Sequence, residues 1–206
     1  TPVSTIPPTM DAIATAIPLH TLLTDLGSTK QEITTHGERL FGERFVGGHP
    51  MAGAEESGAG AARANLFDNA TWILTSSYPE SEATQKVATW VSHIGANPVT
   101  MPPKEHDTAV ALVSHLPHLL SFSFSGTVRG TLGWEQASLV SAGSYRDMMR
   151  VSYSNPSLWA DILHSNREAL LRLVEEYESR LHALRAALDQ PEKALLEECL
   201  KRFGAG

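Results

Sequence analysis

The sequence predicts an α/β domain followed by an all-α domain. Short apolar runs rich in strand-forming residues alternate with helical patterns through the first hundred residues. Pro102-Pro103 interrupts this alternation, and helical periodicity fills the rest of the chain. We therefore expect an α/β part over residues 1–101 and a helical part over residues 102–206.

The α/β part is predicted to contain four strands separated by helices. The strands are expected in the apolar runs at residues 21–25, 44–46, 70–75 and 97–100, and the helices at 9–17, 30–41 and 80–94. Gly47-Gly48 is expected to end the second strand, and Gly37 to weaken the second helix. This alternation is typical of a parallel sheet, whose loops after the strands bind ligands.

The helical part is predicted to contain two long helices. The first covers residues 106–128, is apolar on most faces and should be kinked before Pro117. Asn155-Pro156 starts the second, with Asn as the N-cap and Pro in the first helical position. If this helix continues to Gln190, it is roughly 50 Å long at about 1.5 Å per residue. A second copy of the chain is expected to cover it, which predicts a homodimer.

Composition and charge exclude several classes of protein. The net charge of −7 comes without any cluster of Lys and Arg, so nucleic acid is not an expected partner. The single cysteine, Cys199, can form neither an internal disulfide nor a cysteine-based zinc site, which favours a reduced, cytoplasmic protein. No apolar run is long enough to cross a bilayer, so no membrane partner is expected.

Three loops contain polar residues that periodicity does not explain: residues 25–30, 47–58 and 143–150. Paired glycines allow the backbone to approach a ligand, and His49 behind them could act as a base or a hydrogen-bond donor. Each loop taken alone also has an ordinary structural explanation. The first could be a plain turn, His49 a hydrogen-bonding loop residue, and Arg146 and Arg150 surface arginines.

Taken together, the segments resemble the TyrA-type prephenate and arogenate dehydrogenases. The matching motifs are DLGSTK, GGHPMAG, LFDNATWILT, EHDTAVALVSHLPH and SYRDMMRVSYSNPSLWADI, in that order. The likeness runs from Thr1 to about Leu188. It implies the C-terminal part of a Rossmann-type nucleotide-binding domain followed by a helical dimerisation domain.

The resemblance also implies a reaction. Such enzymes use NAD or NADP to remove a hydride from the ring carbon that bears the hydroxyl of prephenate or arogenate. Loss of carbon dioxide then gives 4-hydroxyphenylpyruvate or tyrosine. By position in the motifs, His49 is expected to take the hydroxyl proton, Ser28 to contact His49 and the hydroxyl, and Arg150 to bind the side-chain carboxylate.

Further positions follow from the same resemblance. Substrate binding is expected to involve His118, Arg146 and Trp159, and cofactor binding Thr1, Pro2, Ser28, Gly53 and Glu55. His115 lies three residues before His118, but no carboxylate or thiol partner for a metal is evident, so no metal is expected. Ala54 replaces a Ser or Thr of many relatives, which should remove one polar contact.

One family motif is not found in these 206 residues. They contain no G-x-G-x-x-G turn for the pyrophosphate, and no acidic or basic residue that selects NAD or NADP can be identified. We therefore expect the first βαβ unit to be missing and the cofactor to bind this chain weakly. The choice between prephenate and arogenate also stays open.

Three alternatives remain. The chain could be a β-hydroxyacid dehydrogenase, although that class uses a catalytic lysine in the first long helix after the boundary, and none follows Lys104 there. It could be a non-catalytic dimerising module. A metal hydrolase built on His115 and His118 is the third alternative.

Overall fold

The computed structural model describes residues 2–53, 60 and 62–204. All four predicted strands are present within them. The strands of the α/β part are β1 (Leu23–Thr24), β2 (Phe45–Pro50), β3 (Thr71–Thr75) and β4 (Asn97–Thr100). Its helices are α1 (Ile6–Ile13), α2 (Gln31–Phe41) and α3 (Glu82–His93).

The sheet is mixed, so the prediction of a parallel sheet was wrong at one junction. The strand order is β1-β2-β3-β4. β1 with β2 and β3 with β4 are parallel pairs, whereas β2 and β3 are antiparallel, with Gly48 opposite Leu74. A parallel neighbour needs a long crossover, usually a helix. Residues 62–70, which lead into β3, form turns instead.

Strand β2 continues through Gly47 and Gly48, contrary to the expectation that this pair ends it. A Cβ atom on Gly47 would lie 2.4 Å from the Oγ1 atom of Thr75, and one on Gly48 would lie 2.6 Å from the carbonyl oxygen of Asp25. The glycines therefore let neighbouring strands and loops approach β2 closely while the backbone stays extended.

Helices cover both faces of the sheet. Successive strand residues point to opposite faces, so neighbouring residues of β2 join different buried clusters. Val46 packs with β3 and α3 in one buried cluster, which comprises Val46, Trp72, Leu74, Ala83, Val87, Val91 and Ala96. Phe45 packs on the other face with α1 and α2, in a cluster of Val3, Met10, Ile33, Phe41, Phe45 and Ile162. Gly37 lies against the Phe45 ring, where a Cβ atom would be 2.4 Å from it. Gly37 therefore allows close helix–sheet packing.

The helical part begins with an interrupted helix. α4 (Pro103–Val110) is followed by a π-helical turn at Ala111–His115 and by α5 (Leu116–Thr131). The irregular turn directly precedes Pro117, which lacks an N–H group and whose ring conflicts with the carbonyl four residues earlier. The structure thus shows an irregular turn at the place where a kink was predicted. The predicted burial on most faces is wrong for this chain, since Leu112 and Val113 are exposed.

The predicted 35-residue helix is two helices. The remaining helices are α6 (Trp134–Leu139), α7 (Gly143–Ser152), α8 (Pro156–Ser165), α9 (Arg167–Leu188) and α10 (Lys193–Phe203). α8 starts as expected, with the Asn155 side chain accepting from the backbone N–H groups of Ser157 and Leu158. Asn166 then leaves helical geometry, with φ −115° and ψ 25°, and its buried side chain bonds to α4. No helix in the described ranges is long and apolar enough to span a membrane.

Candidate active site

A buried ion pair joins the ends of β1 and β2. Asp25 accepts hydrogen bonds from the backbone N–H groups of Gly27, at 2.7 Å, and Gly48, at 3.0 Å, and it pairs with the ammonium of Lys30. The Nζ atom of Lys30 also donates to the Gly48 carbonyl at 2.9 Å. Burial lowers the pKa of Lys30, and the Asp25 carboxylate partly offsets that effect. Both backbone groups of Gly48 are thereby fixed, and Gly48 directly precedes His49.

His49 lies on β2 and contacts His106 of α4. Its Nδ1 atom is 2.8 Å from Nε2 of His106, and the two rings meet edge to face with centroids 5.0 Å apart. Burial, together with the smaller effects of His106, Lys30 and His115, lowers the pKa of His49 to about 3. The imidazole is therefore neutral at pH 7 and can accept a hydrogen bond.

Asp107, next to His106, connects the helical part to the α/β part. Its Oδ1 atom accepts from the backbone N–H of Lys30 at 2.7 Å and lies 2.7 Å from Nδ1 of His106. Its Oδ2 atom accepts from the backbone N–H of Gln31 at 2.9 Å. Asp107 thus satisfies two free N–H groups at the start of α2, where a negative charge is favourable.

Asn166 supports the same network from the break between α8 and α9. Its Nδ2 atom donates to the carbonyl oxygen of Asp107 at 2.7 Å and lies 3.1 Å from Nδ1 of His115. An amide has two N–H bonds, so one nitrogen can serve both acceptors. The pKa of His115 is lowered to about 4, mainly by burial; Asp107 opposes this shift, and His106 and His118 add to it.

His118 and Trp159 form a stacked pair at the other end of the cluster. Their ring centroids are 3.3 Å apart, with an angle of 17° between the planes. The Nδ1 atom of His118 donates to the backbone carbonyl of Ser114 at 2.8 Å. Burial lowers the pKa of His118, and the nearby guanidinium of Arg150 lowers it further. Arg150 is exposed on α7, and Arg146 is exposed one turn earlier.

Several predicted site residues therefore lie in one connected cluster. Hydrogen bonds link His49 to His115 through His106, Asp107 and Asn166. His115 meets Trp159 edge to face, with ring centroids 6.1 Å apart, and Arg150 lies near His118. Trp159 joins the cluster by stacking. We call this series, together with His106, Asp107 and Asn166, the histidine cluster.

The other candidate residues make fewer contacts. Ser28 is half-buried in the loop between β1 and α2, and its hydroxyl has no hydrogen bond to another described residue. Gly53 is exposed with open space around it. Pro2 is exposed, and its carbonyl accepts from Thr5. Thr1 and Glu55, and also Ala54, lie outside the described residues.

Five residues that organise the site were assigned no role from the sequence, although Asp25 and Lys30 lie in a predicted polar loop and His106 and Asp107 in a quoted motif. They are Asp25, Lys30, His106, Asp107 and Asn166. The available signal was polarity in apolar surroundings: His106-Asp107 follows the domain boundary at the start of an apolar helix, and Asn166 interrupts an apolar stripe.

Among the residues with described positions, no group of three His, Cys, Asp or Glu side chains could hold a metal ion.

Two family models match the chain. The model described as "Prephenate dehydrogenase, nucleotide-binding domain" matches residues 1–100, and "Prephenate dehydrogenase, dimerization domain" matches residues 102–202. Together they account for almost the whole sequence.

Individual proteins with names of the same kind also match the sequence. The prephenate dehydrogenase of Bacillus subtilis is 34% identical over 173 residues, which cover 82% of this chain and 47% of the relative. The cyclohexadienyl dehydrogenase of Zymomonas mobilis is 34% identical over 194 residues, which cover 92% and 66%. This chain thus spans between about half and two thirds of the length of these relatives.

A solved structure shares the fold. It is the prephenate dehydrogenase from A. aeolicus in complex with hydroxyphenyl propionate and NAD+. The TM-score is 0.87 and the sequence identity 30%, over 98% of this chain and 71% of the other.

Proposed function

This chain belongs to the prephenate dehydrogenase family, and from that premise we propose that the protein catalyses the NAD- or NADP-dependent oxidative decarboxylation of prephenate or arogenate. The observation that carries this proposal is the histidine cluster, in which hydrogen bonds and ring contacts connect His49 to the stacked pair of His118 and Trp159, with the guanidinium of Arg150 near His118. A ring alcohol with a carboxylate on its side chain presents matching groups: a hydroxyl for the imidazole and an anion for the guanidinium.

The proposed chemistry assigns a separate task to each residue. The oxidised nicotinamide of the cofactor supplies the acceptor for a hydride from the ring carbon. His49 takes the proton of the ring hydroxyl as the hydride leaves, which raises electron density on that carbon and favours hydride departure. The bond to the ring carboxylate breaks, its electron pair completes the aromatic ring, and carbon dioxide leaves. Because the product is a phenol, the proton held by His49 returns to the oxygen.

Arg150, His118 and Trp159 are proposed to bind and orient the substrate. Arg150 would hold the side-chain carboxylate through its planar pair of N–H donors. The stacked rings of His118 and Trp159 form a rigid wall beside it. Arg146, one turn away on α7, adds positive charge near the same carboxylate. Fixing the substrate at both ends places its reacting carbon against the nicotinamide.

The loop after β1 has the chemistry that a nicotinamide requires. Ser28 offers a hydroxyl without a partner among the described side chains, and the exposed Leu26 offers apolar surface beside it. We propose that Ser28 contacts both His49 and the bound substrate or cofactor, with Pro2 and Gly53 near the cofactor. The sequence contains no G-x-G-x-x-G turn, so we propose that these 206 residues alone bind NAD or NADP weakly. Isothermal titration tests this, and tight binding would refute it.

We also propose that the helical part, residues 102–206, forms a homodimer. Many large apolar side chains are exposed in the single chain, as a dimer interface would require. They include Leu112, Val113, Leu139, Val140, Tyr153, Leu171, Leu181 and Leu188. The description of the matching family model as a dimerization domain supports this assembly. Sedimentation equilibrium that gives only monomer at micromolar concentration would contradict it.

The direct test of the proposed function is reduction of the cofactor. Each substrate is paired with NAD and with NADP, and the assay uses this chain and, where the gene encodes further residues, the full-length product. His49→Asn should lower kcat by about 100-fold or more with little change in KM. Arg150→Ala should mainly raise KM. Arg39→Ala, on the exposed surface of α2, serves as the matched control. Full activity of His49→Asn would refute the mechanism.

A further inference from the structure

We infer that His106 and Asp107 fix the tautomer of His49, so that its Nδ1 atom carries the proton and its Nε2 atom presents a lone pair to the substrate. This tautomer assignment rests on the proposed function, which identifies the substrate. It makes His106 a positioning residue that acts through His49.

The contacts of Asp107 allow only one role for its carboxylate. Its two oxygens accept from the backbone N–H groups of Lys30 and Gln31, at 2.7 and 2.9 Å. Backbone N–H groups can only donate, and a carboxylate can only accept. The contact of 2.7 Å between Oδ1 of Asp107 and Nδ1 of His106 is therefore an N–H of His106 donating to the carboxylate.

The proton position on His106 determines that on His49. As part of the inference, His106 is taken as a neutral imidazole, which carries one N–H, so a proton on its Nδ1 atom leaves a lone pair on Nε2. That Nε2 atom lies 2.8 Å from Nδ1 of His49, and a hydrogen bond there requires the N–H to come from His49. His49 is neutral, so its Nε2 atom must then be unprotonated.

The Nε2 atom of His49 is available to accept a proton or a hydrogen bond from the substrate. Within the described part of the chain, no side chain or backbone group bonds to that atom. His106 is fully buried, which holds its ring in one orientation, whereas His49 is partly accessible. In many active sites a carboxylate bonds directly to the catalytic histidine and fixes its tautomer. Here His106 lies between the carboxylate of Asp107 and His49.

The decisive experiment is NMR spectroscopy of the unmodified chain with 15N-labelled histidine, at pH 8, without substrate. Long-range proton–nitrogen correlations identify which nitrogen of each ring carries the proton, and His49→Asn assigns the His49 signals. We expect a protonated Nδ1 and an unprotonated Nε2 in His49. The opposite pattern overturns the inference. No catalysis is involved, so the result is independent of whether prephenate or arogenate is the substrate.

Two substitutions at His106 test the consequence for catalysis. His106→Leu removes the acceptor for the His49 proton, and should lower kcat by at least about tenfold with little change in KM. His106→Gln restores an oxygen acceptor, and should recover part of kcat and the tautomer pattern. His93→Gln, at an exposed histidine of α3, is the control. Equal kcat in the Leu and Gln variants, with an unchanged tautomer of His49, would overturn the positioning role.

Discussion

Replacing Lys30 with Met should destabilise the folded chain by about 3–5 kcal/mol, because it breaks a buried ion pair and leaves one charge behind. Lys30 is fully buried, and Asp25 is 8% exposed. In the variant, Asp25 keeps the N–H groups of Gly27 and Gly48 but loses its only cationic partner among the described residues. The Gly48 carbonyl also loses its contact with Nζ of Lys30.

The assay is urea denaturation followed by tryptophan fluorescence. A loss of this size lowers the melting temperature by roughly 10 °C in a chain of this length. In the double variant Asp25→Asn/Lys30→Met, the loss should be smaller than the sum of the single losses by at least about 1 kcal/mol, because the two residues interact directly. Lys86→Met, which breaks the exposed Lys86–Glu82 pair on α3, is the matched control and should change stability little.

The outcome separates two roles for Lys30. A loss below about 1 kcal/mol would show that the ammonium is not a buried structural cation, and the account of the β1–β2 connection would be wrong. The same variant should also lower activity, because the ion pair holds the backbone immediately before His49.

Two further predictions concern Gly48 and the histidines. Gly48→Ala should destabilise by about 1–3 kcal/mol in urea denaturation, since its Cβ would overlap a neighbouring backbone carbonyl, whereas Gly53→Ala, in open space, should not. The pKa values of His49 and His115 are lowered to about 3 and about 4 in the folded chain. As the pH falls, these two histidines are therefore protonated in the unfolded chain before they are protonated in the folded chain. Stability should therefore be greatest above pH 6.5 and fall between 6.5 and 4, by up to about 1.4 kcal/mol per pH unit for each histidine. A slope identical in His49→Asn would contradict this.

The order of elements could be read from the sequence because it depends on local signals. Apolar runs located all four strands, and Asn155-Pro156 located the start of α8. The direction of β3 and the course of β2 through Gly47-Gly48 could not be read. The course of β2 depends on the close approach of Thr75 and Asp25, which are distant in the sequence. The direction of β3 depends on the connection from β2, whose described residues before β3 form turns.

The candidate site also contains residues that could be predicted from the sequence and residues that could not. His49, His118, Trp159 and Arg150 were found because they lie in motifs that resemble a family. The supporting network was not found, because several of its bonds join residues far apart in the sequence, such as Asp107 with Lys30 and Gln31, 77 and 76 positions away. Asn166 looked like one residue of a continuous helix, but its side chain bonds to α4, where the helix breaks.

We expect one small molecule to touch both His49 and Arg150. A crystal structure of the chain, or of a longer product of its gene, with NAD+ and hydroxyphenyl propionate tests it directly. We predict the phenol oxygen within about 2.6–3.2 Å of Nε2 of His49, and the carboxylate bound by the guanidinium of Arg150. A complex in which these two side chains face separate cavities, too far apart for one ligand to reach both, would contradict the account.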